Sequence, residues 1–84
     1  MKITIYNSLK WRLETIDIEF TKENTTWFDD CKNNDDIYMI TDFASGILIS
    51  KFDYSYPVLI NGATRSEIGH NKQKIRELES MVCY

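Results

Sequence analysis

The chain has 84 residues, 43% of them apolar, 13% aromatic and 27% charged, and carries a formal net charge of −3. A chain this short buries roughly 60–65% of the surface its unfolded form exposes, so one compact domain over residues 1–84 with a thin core is expected, without room for a deep cleft. Intrinsic disorder is excluded by the aromatics and the recurrent Ile, Leu and Val, and a spanning helix by the want of any apolar run of about 18 residues.

The first residues alternate, with Ile3 and Ile5 on one side and Lys2, Thr4 and Tyr6 on the other, which is strand periodicity. A strand there, in place of the apolar stretch of a secretory signal, implies a cytoplasmic protein. Asn7-Ser8 suits a tight connection. Leu9, Trp11 and Leu13 are then in phase at odd positions, whereas Ile16, Ile18 and Phe20 are in phase at even ones. An unbroken strand would carry its apolar side from core to solvent halfway along, so a bulge near Glu14-Thr15, or two short strands, is expected.

Residues 21–36 are the polar middle of the chain. Trp27-Phe28, with Cys31 beyond, suits a short helical turn capped by Thr25 or Thr26, with Asp29 and Asp30 favourable in its first turn. Residues 32–36 read as loop. A hairpin follows, from 37–43 and 47–52, with Ala44-Ser45-Gly46 as a three-residue connection placing glycine where a left-handed residue is needed. Phe52, Tyr54 and Tyr56 alternate with Asp53 and Ser55, extending that strand toward Pro57, and Val58-Leu59-Ile60 is a further apolar run stopped by Asn61-Gly62. Thr64-Arg65-Ser66-Glu67 has capping-box spacing. The C-terminal helix it opens has an apolar stripe of Ile68, Ile75, Leu78 and Val82, with Met81 at its border. Gly69-His70-Asn71 interrupts it, so the helix starts either at Thr64 or near Asn71. The fold class expected is α+β: an antiparallel sheet of four to five strands, the C-terminal helix packed on one face and a helical turn near Trp27.

No catalytic constellation is present. His70 falls opposite the apolar stripe, and no nucleophile elbow, paired-histidine motif or phosphate loop occurs. Asp29, Asp30, Asp35 and Asp36 lack the spacing and glycine of a calcium loop, so neither metal nor cofactor is expected. Cys31 and Cys83 match no metal or redox spacing and are expected as reduced thiols. Arg65, Lys72, Lys74 and Arg76 are interleaved with Glu67, Glu77 and Glu79, an ordinary solvated mixture rather than a nucleic-acid-binding stripe.

Charge is divided along the chain. Residues 13–42 hold nine acidic and two basic side chains, a balance of −7, and the remainder hold four acidic and eight basic, a balance of +4. An acidic surface steers association with basic partners. Trp27, Phe28 and Tyr38 lie in this segment; aromatics make interface hot spots, although a thin core also calls on them. The expectation is a non-enzymatic protein-binding module that docks Asp29, Asp30, Asp35, Asp36, Trp27 and Tyr38 on another protein. Its most concrete form is a stoichiometric inhibitor, of the phage anti-defence or immunity type, blocking a basic site on a nucleic-acid enzyme without touching nucleic acid or membrane itself. The alternative is a homodimer formed by an exposed strand, or a nucleotide-like ligand bound on the strand face of Phe52, Tyr54 and Tyr56.

Overall fold

Alternating residues build the first hairpin. In the computed structural model, which describes residues 1–28, 38–51, 54–68 and 72–80, β1 (Lys2–Asn7) and β2 (Arg12–Asp17) pair antiparallel from Lys2 opposite Asp17 to Asn7 opposite Arg12. The register is continuous, so no bulge interrupts Glu14-Thr15. Leu13 therefore stands with Tyr6 on one face and Ile16 with Ile3 on the other, and the apolar side of the segment does change faces.

Thr25–Phe28 forms β3, which pairs with β4 (Tyr38–Phe43) through Thr25 opposite Thr41 and Trp27 opposite Met39. This corrects the helical turn expected near Trp27: β-branched Thr25-Thr26 followed by two aromatics favours a pleated surface. The main hairpin joins β4 to β5 (Gly46–Lys51), with Phe43 opposite Gly46. Its connection is the two residues Ala44 and Ser45, neither at positive φ, so the three-residue loop is also corrected. Gly46 serves close approach instead, since a Cβ there would lie 2.0 Å from the Ile60 carbonyl oxygen.

β6 (Val58–Asn61) fills the centre of the sheet, antiparallel to β5 and parallel to β1, where Tyr6 pairs with Val58. Among the described residues the strand order is β2-β1-β6-β5-β4-β3, six strands in a mixed sheet rather than four or five in an antiparallel one. Pairing of the first strand with the last closes two hairpin units into one sheet, a long-range contact that local periodicity does not encode. Val58, Leu59 and Ile60 are all buried, as a strand covered on both faces requires.

Helical segments follow on both sides of the expected weak spot: α1 (Arg65–Ile68) and α2 (Lys72–Ser80). The Thr64 hydroxyl accepts from the Glu67 amide at 3.3 Å, as a capping residue does. Ile68, Ile75 and Leu78 pack on Tyr38, Ile40, Ile47, Ile49, Val58 and Ile60, covering one face of β4, β5 and β6. Met81, Val82 and residues 69–71, including His70, lie outside the described residues. No helix among the described residues is long and apolar enough to cross a membrane.

The opposite face carries a second core of Ile5, Leu48 and Leu59, against which Ile3, Ile16, Ile18 and Phe43 pack. Because β2 and β3 are at opposite ends of the strand order, residues 18–24 must pass across this face to join them. Ile18 hydrogen-bonds Met1 at the start of this strap, and the Asn24 carbonyl accepts from Asp42 at its end. Arg65 ties the layers together, with Nε 3.2 Å from Asp42 Oδ2 and an Nη donating to the Glu23 carbonyl.

Candidate functional site

On the helix side of the first hairpin, Tyr6 of β1 packs against the helix-covered core, whereas Leu13 opposite it on β2 is exposed. Residues 8–11 turn the chain between these strands around Asn7, a buried polar side chain at 4% exposure. Asn7 Oδ1 accepts from the backbone N–H of Leu9 (3.1 Å) and Lys10 (3.2 Å) and from Asn61 Nδ2 (3.0 Å). Its carbonyl accepts from the Trp11 N–H at 2.8 Å. These bonds hold the turn to the central strand, as does Ser8 Oγ donating to the Leu59 carbonyl at 2.6 Å.

The turn ends on Trp11 at φ 56°, the one non-glycine residue at positive φ among those described. Left-handed backbone costs an L-residue about 1–2 kcal/mol, and a bulky residue has no compensating local hydrogen bond of the kind Asn makes. Burial does not offset this: Trp11 is 71% exposed, as is Leu9, and Leu13 beside them is 51% exposed. Tyr56, 41% exposed, joins Tyr6, Leu13 and Ser55 around a shallow depression of about 250 Å³. The outcome is an exposed apolar and aromatic surface beside an edge strand.

Charges border it. Glu14 Oε1 lies 3.0 Å from Arg12 Nε and 3.7 Å from Lys10 Nζ. Hydrogen bonds from the Arg12 guanidinium, and then from the Asn7 amide, hold the Glu14 carboxyl below its ordinary value of 4.5. At the opposite edge, Trp27 is 65% exposed, and Phe20, Thr21, Lys22, Thr25 and Met39 form a second open depression around it.

The sequence-derived site is distributed differently. Asp29, Asp30, Asp35 and Asp36 lie outside the described residues, as do Cys31, Cys83 and Phe52. Trp27 is on the surface rather than in the core. Tyr38 is corrected: at 4% exposure its ring belongs to the helix-covered core, with Lys51 Nζ 5.3 Å from the ring centroid. Tyr54 and Tyr56 do not continue a strand, because the Tyr54 N–H bonds the Lys51 carbonyl and turns the chain. Tyr54 packs against the helix-covered core while Tyr56 faces the depression at the first hairpin. Leu9, Trp11 and Leu13 are visible in the sequence only as a conflict of phase. Among the described residues, no group of three or more His, Cys, Asp or Glu is placed to hold a metal ion.

The fold and surface define a small mixed-sheet α/β protein with an exposed aromatic hairpin. Comparison of the chain with protein-family models, curated proteins and solved structures gives no match.

Proposed function

We propose that the protein is a non-enzymatic binding module that docks on another protein through the exposed surface of its β1–β2 hairpin. The observation that carries this reading is Trp11, at φ 56° and 71% exposed. Glycine would relieve that backbone and leave both cores unchanged, so the indole is retained at a cost to the fold. Tryptophan is the side chain most enriched among residues that dominate interface energies, and Leu9, Leu13 and Tyr56 supply an apolar surround. The narrower form of the proposal is a cytoplasmic stoichiometric inhibitor whose acidic segment, including Asp29, Asp30, Asp35 and Asp36, blocks a basic site on a nucleic-acid enzyme. It is supported by the division of charge along the sequence.

The test uses immobilised wild-type chain and Trp11→Gly side by side in extract of the source organism. A stoichiometric partner held by the wild type and lost by the folded variant is expected. Equal capture by both would sink the role assigned to this surface. The inhibitor form further expects reversal of the four aspartates to lysine to slow association and remove its salt dependence.

A further inference from the structure

We propose that the β2 edge takes a second copy of this chain, antiparallel and centred on Leu13, joining two six-stranded sheets into one. Among the described residues no strand follows beyond β2 in the sheet order. The backbone of β1 fixes which groups are left over. Tyr6 and Ser8 donate their N–H groups to the carbonyls of Pro57 and Leu59 on the β6 side, so Ile3, Ile5 and Asn7 must exchange bonds with β2. Their partners Ile16, Glu14 and Arg12 therefore point inward, and Leu13, Thr15 and Asp17 turn their N–H and C=O groups outward from the sheet. No proline or bulge blunts this edge.

The side chains choose the occupant and the register. A two-fold axis normal to the sheet keeps matching faces together, so odd residues meet odd and even meet even. Centred on Glu14, the ladder would set carboxylate against carboxylate. Centred on Thr15, it would set Leu13 against Asp17 and Glu14 against Ile16. Centred on Leu13, it sets leucine against leucine and, twice over, Arg12 against Glu14 of the second copy. Of these three, only the last register matches apolar to apolar and opposite charge to opposite charge where strand meets strand, over residues 12–14, and residues 15–17 then run past the turn of the second copy. Both exposed hairpin surfaces then lie on the same side of the joined sheet, with the two Leu13 side chains between the two Trp11 residues. The dimer thus doubles the surface proposed for docking. The ladder itself uses backbone groups of β2 rather than the indole, so the two proposals fail separately.

Charge reversal tests the pairing. Sedimentation equilibrium of the wild type at increasing concentration is expected to reach twice the mass of one chain. Arg12→Glu and Glu14→Arg are each expected to weaken self-association about tenfold or more, since each sets like charges opposite at two places. Mixing the two variants restores the dimer, because positions 12 and 14 then carry one sign of charge in one chain and the other sign in its partner, and opposite charges meet across the axis at both places. Each variant has like charges at 12 and 14 of its own chain, so repair of the pair within one chain cannot follow from mixing. Leu13→Pro removes an outward N–H together with the leucine that meets its own copy at the axis, and is expected to be monomeric while keeping the β1–β2 register, which circular dichroism checks. A wild type that stays monomeric, a dimer indifferent to both reversals, or a mixture that fails to recover would each overturn the proposal. Loss of the dimer with partner capture intact separates this result from failure of the docking reading.

Discussion

Trp11 and Gly46 occupy backbone positions that both favour glycine, for different reasons, and only one of them holds it. At Gly46 the constraint is space: the Ile60 carbonyl oxygen would sit 2.0 Å from a Cβ, and Asn61 Cα 2.9 Å from it. These neighbours are backbone of a paired strand, so relief requires the β5–β6 ladder to part. Gly46→Ala is expected to cost about 1–3 kcal/mol, read as a lowered urea midpoint with unchanged slope. At Trp11 the constraint is φ, and it is overridden. Trp11→Gly is expected to hold the unfolding free energy or raise it by about 1 kcal/mol, because relief of the left-handed strain outweighs the extra freedom glycine gives the unfolded chain. A loss of stability instead would mean that the ring contributes packing and has a structural reason to be there.

β2 shows how one element can be split between fold and surface. Its even residues face the strap side, where Ile16 packs on the second core and Glu14 accepts from Arg12 and Asn7. Since those donors favour the ionised form, the folded carboxyl titrates below 4.5. Its contribution is therefore complete above that value and disappears as pH falls through the lower folded one. Glu14→Gln is expected to lower the melting temperature by a constant amount near neutrality, and the gap from wild type should close as the acid limb is entered. A gap that persists unchanged in acid would locate the effect elsewhere. The odd residues of β2 explain why the sequence discloses this element imperfectly. A change of apolar phase between Leu13 and Ile16 is legible, and a bulge reconciles it if every apolar residue is assumed buried. How far the helix layer extends over the sheet is a tertiary fact, and it leaves Leu13 uncovered. β1, β4 and β5 are legible because each has recognisable strand chemistry and a hairpin partner nearby. Val58-Leu59-Ile60 is legible as an apolar run but not as the central strand, since a run buried on both faces has no period to reveal its neighbours. Trp27-Phe28 with Cys31 fits helical spacing as well as strand alternation, and pairing with β4 decides between them.

At the scale of the molecule, one sheet separates two cores that cover different parts of it. Ile47, Leu48 and Ile49 are consecutive and essentially inaccessible, with Leu48 in the strap-side core and its two neighbours in the helix-side core. The same alternation places Val58 and Ile60 on one side and Leu59 on the other. Neither core can lose its packing while β5 and β6 keep theirs, so the two are expected to melt as one cooperative unit. Ile75, fully buried at the centre of the apolar stripe of α2, is the residue with which to test this. Truncation to alanine costs about 2–5 kcal/mol in a packed core, and in a domain of this size each kcal/mol lowers the melting temperature by roughly 4–8 °C. Ile75→Ala is therefore expected to shift the far-ultraviolet signal of the sheet and the near-ultraviolet signal of the aromatic side chains together by about 10 °C or more. Leu48→Ala, on the other core, is expected to do the same. If Ile75→Ala released the helical signal early while the sheet melted at the wild-type temperature, the helix layer would be an accessory to a sheet stabilised by the strap alone, and the shared strands would not couple the cores.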